Sequence, residues 1–599
     1  MTLSPAFKRY APWLGVAALA LVLLAPAPLY ELEDDGEYFS TGSILLHGLP
    51  HGDVGWSLPL EPLSRAIIGQ AFPGALPLWP HALALLGLAF CFVLACALAG
   101  RKAALLGLLA AGLFSGQFYV MMRTDPEMLL YCCAVAATAA ALALRASSFT
   151  LFWSAALGFC TGMTLLIRSP FFVFPFLLCL VEWKKLRLSS RPLTHVLLVC
   201  LLPFLLLAPW TRLTRALHGS GTPFEVLRAD DNIITAALGL VMTTEGDTYK
   251  LAGIRRDADV TVWAAGEILR HPLRYLHGLL ERVWLLFAWF PLLWALGLAA
   301  FIRHRDSPAM RSLALLCAYY AAIHLVMTIE PRYFLPLRPL LAAAALALFL
   351  APKRQNPPEP GKPEKALFLL ALLPLAALTL AALALLWQYP ARAAQAESRL
   401  PQLLKAYPED ARLFSYAHDY YLAAGQPVLA DAALKRAMFL QPENLRLAQN
   451  YAFTLFGRGV DVSPLARYSG YGGSATAGRY LLPGYLLLQS SALCGGGSYL
   501  EAEKRLAVAR SYWNGGFILF RQAKGPYELG LLRVFYERNN GLLDAELAGI
   551  ASHVRGEEAR SALLECFSRL EPGDKWLPWK AAEQRYNALL ESRNGGLIP

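Results

Sequence analysis

Residues 78–120 read LWPHALALLGLAFCFVLACALAGRKAALLGLLAAGLFSGQFYV, two apolar runs of 22 and 18 residues separated by Gly100-Arg101-Lys102. A helix rises about 1.5 Å per residue, so roughly 20 apolar residues match the hydrocarbon thickness of a bilayer. Two such runs hinged on a pair of cations describe a membrane hairpin. The pattern recurs through the first two-thirds of the 599 residues, giving eleven candidate spans at 12–29, 78–99, 103–120, 128–144, 151–167, 171–183, 193–208, 283–302, 313–328, 334–350 and 366–387.

The composition agrees with this reading. Only 16% of residues are charged and 56% are hydrophobic, against about 25% charged in soluble domains, which excludes a simple soluble enzyme. The formal net charge of +11 would suit nucleic acid if the cations formed one stripe among aromatics. Instead they fall between apolar runs, so no nucleic-acid partner is expected. Lys8 and Arg9, Arg101 and Lys102, Arg145, Lys184 to Arg191, Arg303 and Arg305, and Lys353 and Arg354 occupy alternate connections, as the positive-inside rule requires. The N-terminus is therefore expected in the cytoplasm, and the chain after Trp387 on the outer side. Ala25-Pro26-Ala27 is followed by Pro28, a poor residue after a signal-peptide cleavage point, so the first span is expected to remain.

The expected fold is all-α: a polytopic membrane protein of about eleven transmembrane helices, with outer amphipathic helices and a soluble helical C-terminal domain. Residues 1–351 form the membrane body, with outer loops at 30–77 and 210–282. Residues 352–365 are a Pro-rich cytoplasmic linker, 366–388 the last span, and 389–599 the outer domain. In that domain Tyr407-Pro408 and Gln441-Pro442 stand 34 residues apart around two Ala-rich amphipathic stretches. This resembles one tetratricopeptide unit, and a plain helical hairpin fits as well. Such a surface suits a protein partner or an extended acceptor chain. Cys494 and Cys566 lie outside the apolar body, either as a disulfide or as two thiols.

Charges at span ends are where chemistry is expected, because an ion beside hydrocarbon needs water, a partner or a substrate. Glu31, Glu33, Asp34, Asp35 and Glu37 place five carboxylates in seven positions after the first span. They form either a solvated acidic loop or a general base with its pKa raised by neighbours. Arg123-Thr124-Asp125-Pro126-Glu127 joins two spans, where Asp125 before Pro126 also makes a good helix cap. Arg168 stands alone between two apolar runs and could simply snorkel to the interface. Glu330-Pro331-Arg332-Tyr333 leads into a late span, where Arg332 could pair with Glu330 instead of a ligand. Residues 260–282 carry Arg270, Arg274, His277 and Arg282 in helical register, reading as one amphipathic helix on the membrane surface that contacts lipid headgroups or substrate.

The run DDGEYFSTGSILLHGLP, residues 34–50, resembles the first outer loop of the glycosyltransferase C superfamily, which includes the aminoarabinose transferase of lipid A and the protein O-mannosyltransferases. The resemblance extends over roughly residues 10–350. It implies transfer of a sugar from a polyprenyl-phosphate carrier to a hydroxyl of a glycan, lipid or protein, on the outer face of a bacterial inner membrane. By resemblance Asp34 is the catalytic base, with Asp35 and Asp125 positioning the acceptor or a divalent ion; Glu37 and Tyr38, like Arg270 and Arg274, are candidate contacts to the acceptor or to the membrane surface. The Arg-Tyr-x-x-Pro pattern makes Arg332, with Tyr333, the donor-phosphate contact, joined by Arg168 before Ser169-Pro170. The lysine that some members place on the donor phosphate is missing from residues 57–63, SLPLEPL. Some members use a divalent cation, and the sequence holds no complete ligand set for one. Two other readings remain open. A polysaccharide ligase or polymerase would rely on outer-loop Arg and His, and a non-catalytic scaffold or transporter would in the latter case show paired halves. No Walker loop, HExxH or GxSxG appears.

Overall fold

The computed structural model describes residues 41–49, 57–100, 126–219, 221, 223–225, 229–242, 248–255, 258–350 and 361–440. All regular elements among them are helical. They fall into two compact units, whose described parts are 41–229 with 276–397, and 230–275 with 398–440.

The first unit begins with a short helix α1 (41–47), then α2 (Leu60–Ala71), α3 (Trp79–Ala99), α4 (Pro126–Ser147), α5 (Leu151–Leu165) and α6 (Phe174–Val181). It continues through α7 (Pro192–Leu217), α8 (Pro272–Trp289), α9 (Pro291–Arg303), α10 (Pro308–Leu325), α11 (Leu337–Leu350) and α12 (Lys362–Ala393). Among the described residues five helices are long and apolar enough to cross a membrane, or six if the bent pair α8 and α9 counts as one span. The starts of α5 and α10 are written in the sequence: Thr150 accepts the amide of Trp153, and Ser307 accepts that of Met310 ahead of Pro308.

α4 is the central post. Every residue of its apolar window is buried, with α3, α5 and α10 packed around it. α5 meets α7 so closely that a Cβ on Gly158 would lie 1.9 Å from the Leu198 carbonyl oxygen, the small-residue approach expected between helices in lipid. At that contact α7 widens into a π turn over Leu197–Leu201. Leu180, Leu193, Leu201, Leu205, Leu292, Ile302, Leu370 and Leu373 are exposed on α6, α7, α9 and α12. Apolar surface so extensive needs lipid or a partner to cover it.

Three elements differ from the sequence expectation. The span expected at 283–302 bends by 93° between α8 and α9. Pro291 has no N–H to continue α8 and instead starts α9, and the Trp294 indole donates to the Leu286 carbonyl across the bend at 3.1 Å. The amphipathic helix expected over 260–282 is two helices, Val260–Arg270 and α8, broken at His271 for the same reason at Pro272. The last span, read as separate from the body, is packed into it: Phe368 of α12 lies edge-on to Phe90 of α3 and Trp153 of α5 at 5.4 and 5.5 Å. Residues 362–365, expected in the linker, are the first turn of α12.

In the second unit the loop part is tied by Tyr249 donating to Asp230 and Thr248 to Asp231. The tail part is a hairpin of α13 (Ala411–Ala423) and α14 (Pro427–Leu440). Asp410 caps α13, His418 bonds the Ala430 carbonyl at 3.0 Å, and Leu434 and Ala437 pack against Phe414 and Met438. One helical hairpin is thus present. Residues 441–599, with Cys494, Cys566 and any further repeat, lie outside the described residues.

Candidate functional site

Two ionic clusters cap α4, and the one at its N-terminal end gathers residues from three distant segments. Glu127 lies in the first turn of α4, where the helix dipole favours a carboxylate. α5 ends in a turn whose Arg168 amide bonds the Thr164 carbonyl, after which Arg168 adopts an extended backbone and Pro170 starts a short 3-10 turn. This exit directs the Arg168 guanidinium to Glu127, 3.1 Å away, with both side chains buried. The same guanidinium lies 5.9 Å from the Tyr131 ring centroid and 5.4 Å from that of Tyr333.

Tyr333 sits on the 3-10 turn Pro331–Phe334 between α10 and α11. Its carbonyl accepts from the Tyr320 hydroxyl at 2.8 Å, and its own hydroxyl donates to Glu330 at 3.4 Å. Arg332 pairs with Glu330 at 2.5 Å, and its guanidinium carbon is 5.7 Å from the Tyr333 ring centroid. The Arg332 side chain remains about a third exposed (32%), where that of Arg168 is 9% exposed. Behind the ring, His324 stacks on Tyr320 at 4.3 Å. Two guanidinium groups from residues 164 positions apart therefore flank one aromatic ring, each with a carboxylate beside it.

Glu225 completes the cluster. Phe224 packs on Phe172 at 4.6 Å, which holds this stretch of the long loop against the turn after Arg168. Burial raises the Glu225 pKa above the usual carboxylate value; its own backbone amide lowers it, Glu127 raises it, and the Ser169 hydroxyl and Arg168 lower it. Two carboxylates and one guanidinium thus share a confined space, an arrangement that can hold a proton or exchange its cation between anionic partners.

Segment 57–63 is tied to the same end of the bundle: the Leu60 amide donates to the Leu166 carbonyl at 3.0 Å. There Glu61 and Arg65 form a buried pair at 2.5 Å. The site residues expected from the sequence divide as follows. Arg168, Arg332 and Tyr333 come together. Asp34, Asp35, Glu37, Tyr38 and Asp125 lie outside the described residues, Asp125 immediately preceding the first residue of α4. Arg270 is exposed beside Glu267 at 3.7 Å, whereas Arg274 is mostly covered, donating to Glu267 at 2.7 Å and to the Ala237 carbonyl at 3.2 Å. Arg282, read on the same surface face, is fully buried and donates to the Leu325 and Val326 carbonyls at the end of α10. It satisfies carbonyls that a helix end leaves open. Among the described residues no group of three His, Cys, Asp or Glu side chains is placed to hold a metal ion.

Sequence reasoning missed Glu225 and gave no role to Glu127 or Tyr131. Glu225 had a faint signal, an acid between Phe224 and Val226 in the long outer loop. Tyr131 had none, since a tyrosine in an apolar helix is ordinary. Comparison with family models, curated proteins and solved structures found no match to this chain.

Proposed function

We propose that the chain is an integral membrane glycosyltransferase that moves a sugar from a polyprenyl-phosphate carrier to an acceptor hydroxyl. The observation that carries this reading is the meeting of Arg168 and Arg332 around Tyr333, with Arg168 paired to Glu127 in the first turn of α4. A guanidinium stays charged in a poor dielectric and can hold two phosphate oxygens, and a rigid aromatic plate keeps two of them at one place. Residents such as Glu127 and Glu330 hold the cations in position until an incoming phosphate competes for them.

In the proposed reaction the acceptor oxygen attacks the anomeric carbon while the bond from that carbon to the phosphate oxygen breaks. Asp34 takes the hydroxyl proton, and Arg332 with Arg168 stabilises the departing lipid phosphate. Asp35 and Asp125 orient the acceptor. The chain would cross a bacterial inner membrane eleven times, with its N-terminus in the cytoplasm and the Glu127 end of α4 facing the periplasm together with the C-terminal domain. Purified protein given isotopically labelled polyprenyl-phosphate sugars should transfer or hydrolyse at least one of them. Asp34→Asn should reduce transfer by about 10²-fold or more, as loss of a general base does, with the protein still folded. Full product from that variant rejects the base assignment, and inertness of the parent toward every such donor favours a scaffold or transporter.

A further inference from the structure

The turn between α6 and α7 concentrates charge that its own residues do not neutralise. Residues 180–193 read LVEWKKLRLSSRPL, with Lys184, Lys185, Arg187 and Arg191 in eight positions and Glu182 as the one acid. Glu182 is already engaged, paired with the buried Arg145 guanidinium of α4. Lys185 turns inward, donating to the Ala146 carbonyl at 3.2 Å with its ammonium 4.4 Å from the Phe149 ring centroid. Its pKa is lowered, first by burial; Glu182 raises it, and Arg145 and Arg311 of α10 lower it further. Lys184, Arg187, Arg191 and Arg311 are exposed, and among the described residues none of them forms an ion pair. Six cations from α4, the turn and α10 thus meet the turn's single carboxylate. The apolar residues between them are exposed as well. Leu188 is 89% exposed and Trp183 49%, with Leu180 and Leu193 also in the open, and the Arg187 guanidinium carbon lies 4.8 Å from the Trp183 ring centroid.

Leucines interleaved with unpaired cations suit neither bulk water nor hydrocarbon. They suit the layer where headgroups meet acyl chains, which is also where tryptophan gathers. A soluble polyanion neutralises the charge and leaves the leucines uncovered, whereas a negatively charged lipid covers both. We infer that the turn from Leu180 to Leu193 is a binding site for an anionic phospholipid: Lys184, Arg187 and Arg191 hold its headgroup phosphate, and Trp183, Leu188 and Leu193 lie against its acyl chains. A lipid anion at this place offsets the repulsion that Arg145 and Arg311 exert on Lys185, and so stabilises the folded chain as any ligand of the native state does. The site lies beyond the Arg145 end of α4, away from Arg168 and Arg332, and does not depend on the glycosyltransferase reading.

Mass spectrometry of the lipids that the full-length protein retains, after washing in mixed micelles of phosphatidylglycerol and phosphatidylcholine, tests this. The parent should retain phosphatidylglycerol at least tenfold over phosphatidylcholine. The triple variant Lys184→Gln, Arg187→Gln, Arg191→Gln should lower that preference at least fivefold, with its unfolding temperature in lipid-free detergent unchanged because all three positions are exposed. Lys184→Gln and Arg191→Gln singly should each give a smaller loss of the same kind and serve should the triple variant fail to fold. Leu188→Ser keeps every cation and should still weaken phosphatidylglycerol retention a few-fold, which a purely ionic site does not show. Equal retention of the two lipids by the parent, or a preference that the glutamine variants keep in full, overturns the site. Displacement of phosphatidylglycerol by poly-glutamate, with retention unaffected by Leu188→Ser, overturns the lipid and assigns the turn to an acidic protein segment.

Discussion

The two ends of α4 solve the same problem in opposite ways. Glu127 and Arg145 stand eighteen positions apart, about 27 Å along a helix, and each anchors an ionic cluster. At the Arg145 end the cluster is closed. Arg145 is fully buried, pairs with Glu182, donates to Ser154 at 2.9 Å and covers Phe149 at 4.5 Å. Ser154 in turn bonds His195 at 2.7 Å, and Lys185 bonds the Ala146 carbonyl and reaches the same Phe149 ring. At the Glu127 end the Arg168 guanidinium is shared between Glu127 and Glu225, and Arg332 remains partly exposed beside Glu330. A closed cluster stabilises one fold, whereas one with carboxylates that can be exchanged for another anion can bind. One helix thus carries a structural knot at one end and a candidate site at the other.

That contrast predicts its largest effect at the closed end. Arg145→Ala leaves Glu182 without its partner in a confined site, a change that costs about 3–5 kcal/mol. The variant should lose most folded protein in detergent, read by thermal unfolding and by monodisperse yield. Arg145→Met with Glu182→Leu removes both charges and should recover much of that stability. If Arg145→Ala unfolds like the parent, the closed knot is not structural and the contrast fails.

At the open end the effect should move from stability to activity. Arg332→Ala and Arg168→Lys should each lower transfer about 10²-fold or more if the fork stabilises the leaving phosphate. Arg332→Ala, at a partly exposed position, should shift Tm by only a few degrees. Arg168→Lys keeps the charge and loses the bidentate geometry, so it separates a phosphate grip from a plain counter-ion for Glu127. Loss of stability without loss of turnover would make both ends of α4 structural.

How far the sequence discloses these two ends follows from the physics of each signal. Helix length and apolar content are local, so α3, α4 and α12 fall within a few residues of the runs that announced them. The bends at His271-Pro272 and Phe290-Pro291 were written in the prolines, yet the apolar pattern continues through both, and periodicity alone reads them as one helix. Arg168 and Arg332 were visible because a cation beside an apolar run is costly unless employed, and Tyr333 only through the resembling Arg-Tyr-x-x-Pro pattern. Their meeting around one ring was not visible, since 164 intervening residues fix it only through the packing of α4 against α5 and α10. Arg282 shows the opposite failure. Helical register placed it with Arg270 on a surface, but in the fold its guanidinium serves the end of α10. An arginine that caps a distant helix and one that faces lipid headgroups look alike in a one-dimensional pattern.

The smallest effect separates Glu225 from Glu127, the two carboxylates beside Arg168. Burial raises the Glu225 pKa, so the folded chain holds that proton more tightly than the unfolded chain does. Between the ordinary carboxylate value and the raised folded value the native state binds more protons, and stability therefore falls as pH rises through that window. Above the folded value the full penalty for a buried, ionised Glu225 remains. Glu225→Gln keeps the shape and deletes the titration, so its unfolding temperature should vary less than the parent's from pH 5 to pH 8 and should exceed the parent's at the upper end. The same variant reports on the site: if Glu225 shares Arg168 with Glu127, removing its charge strengthens the remaining pair and should weaken donor binding a few-fold. A pH dependence unchanged by Glu225→Gln would assign the shared proton to another group and leave Glu127 and Glu330 as the anions paired with Arg168 and Arg332.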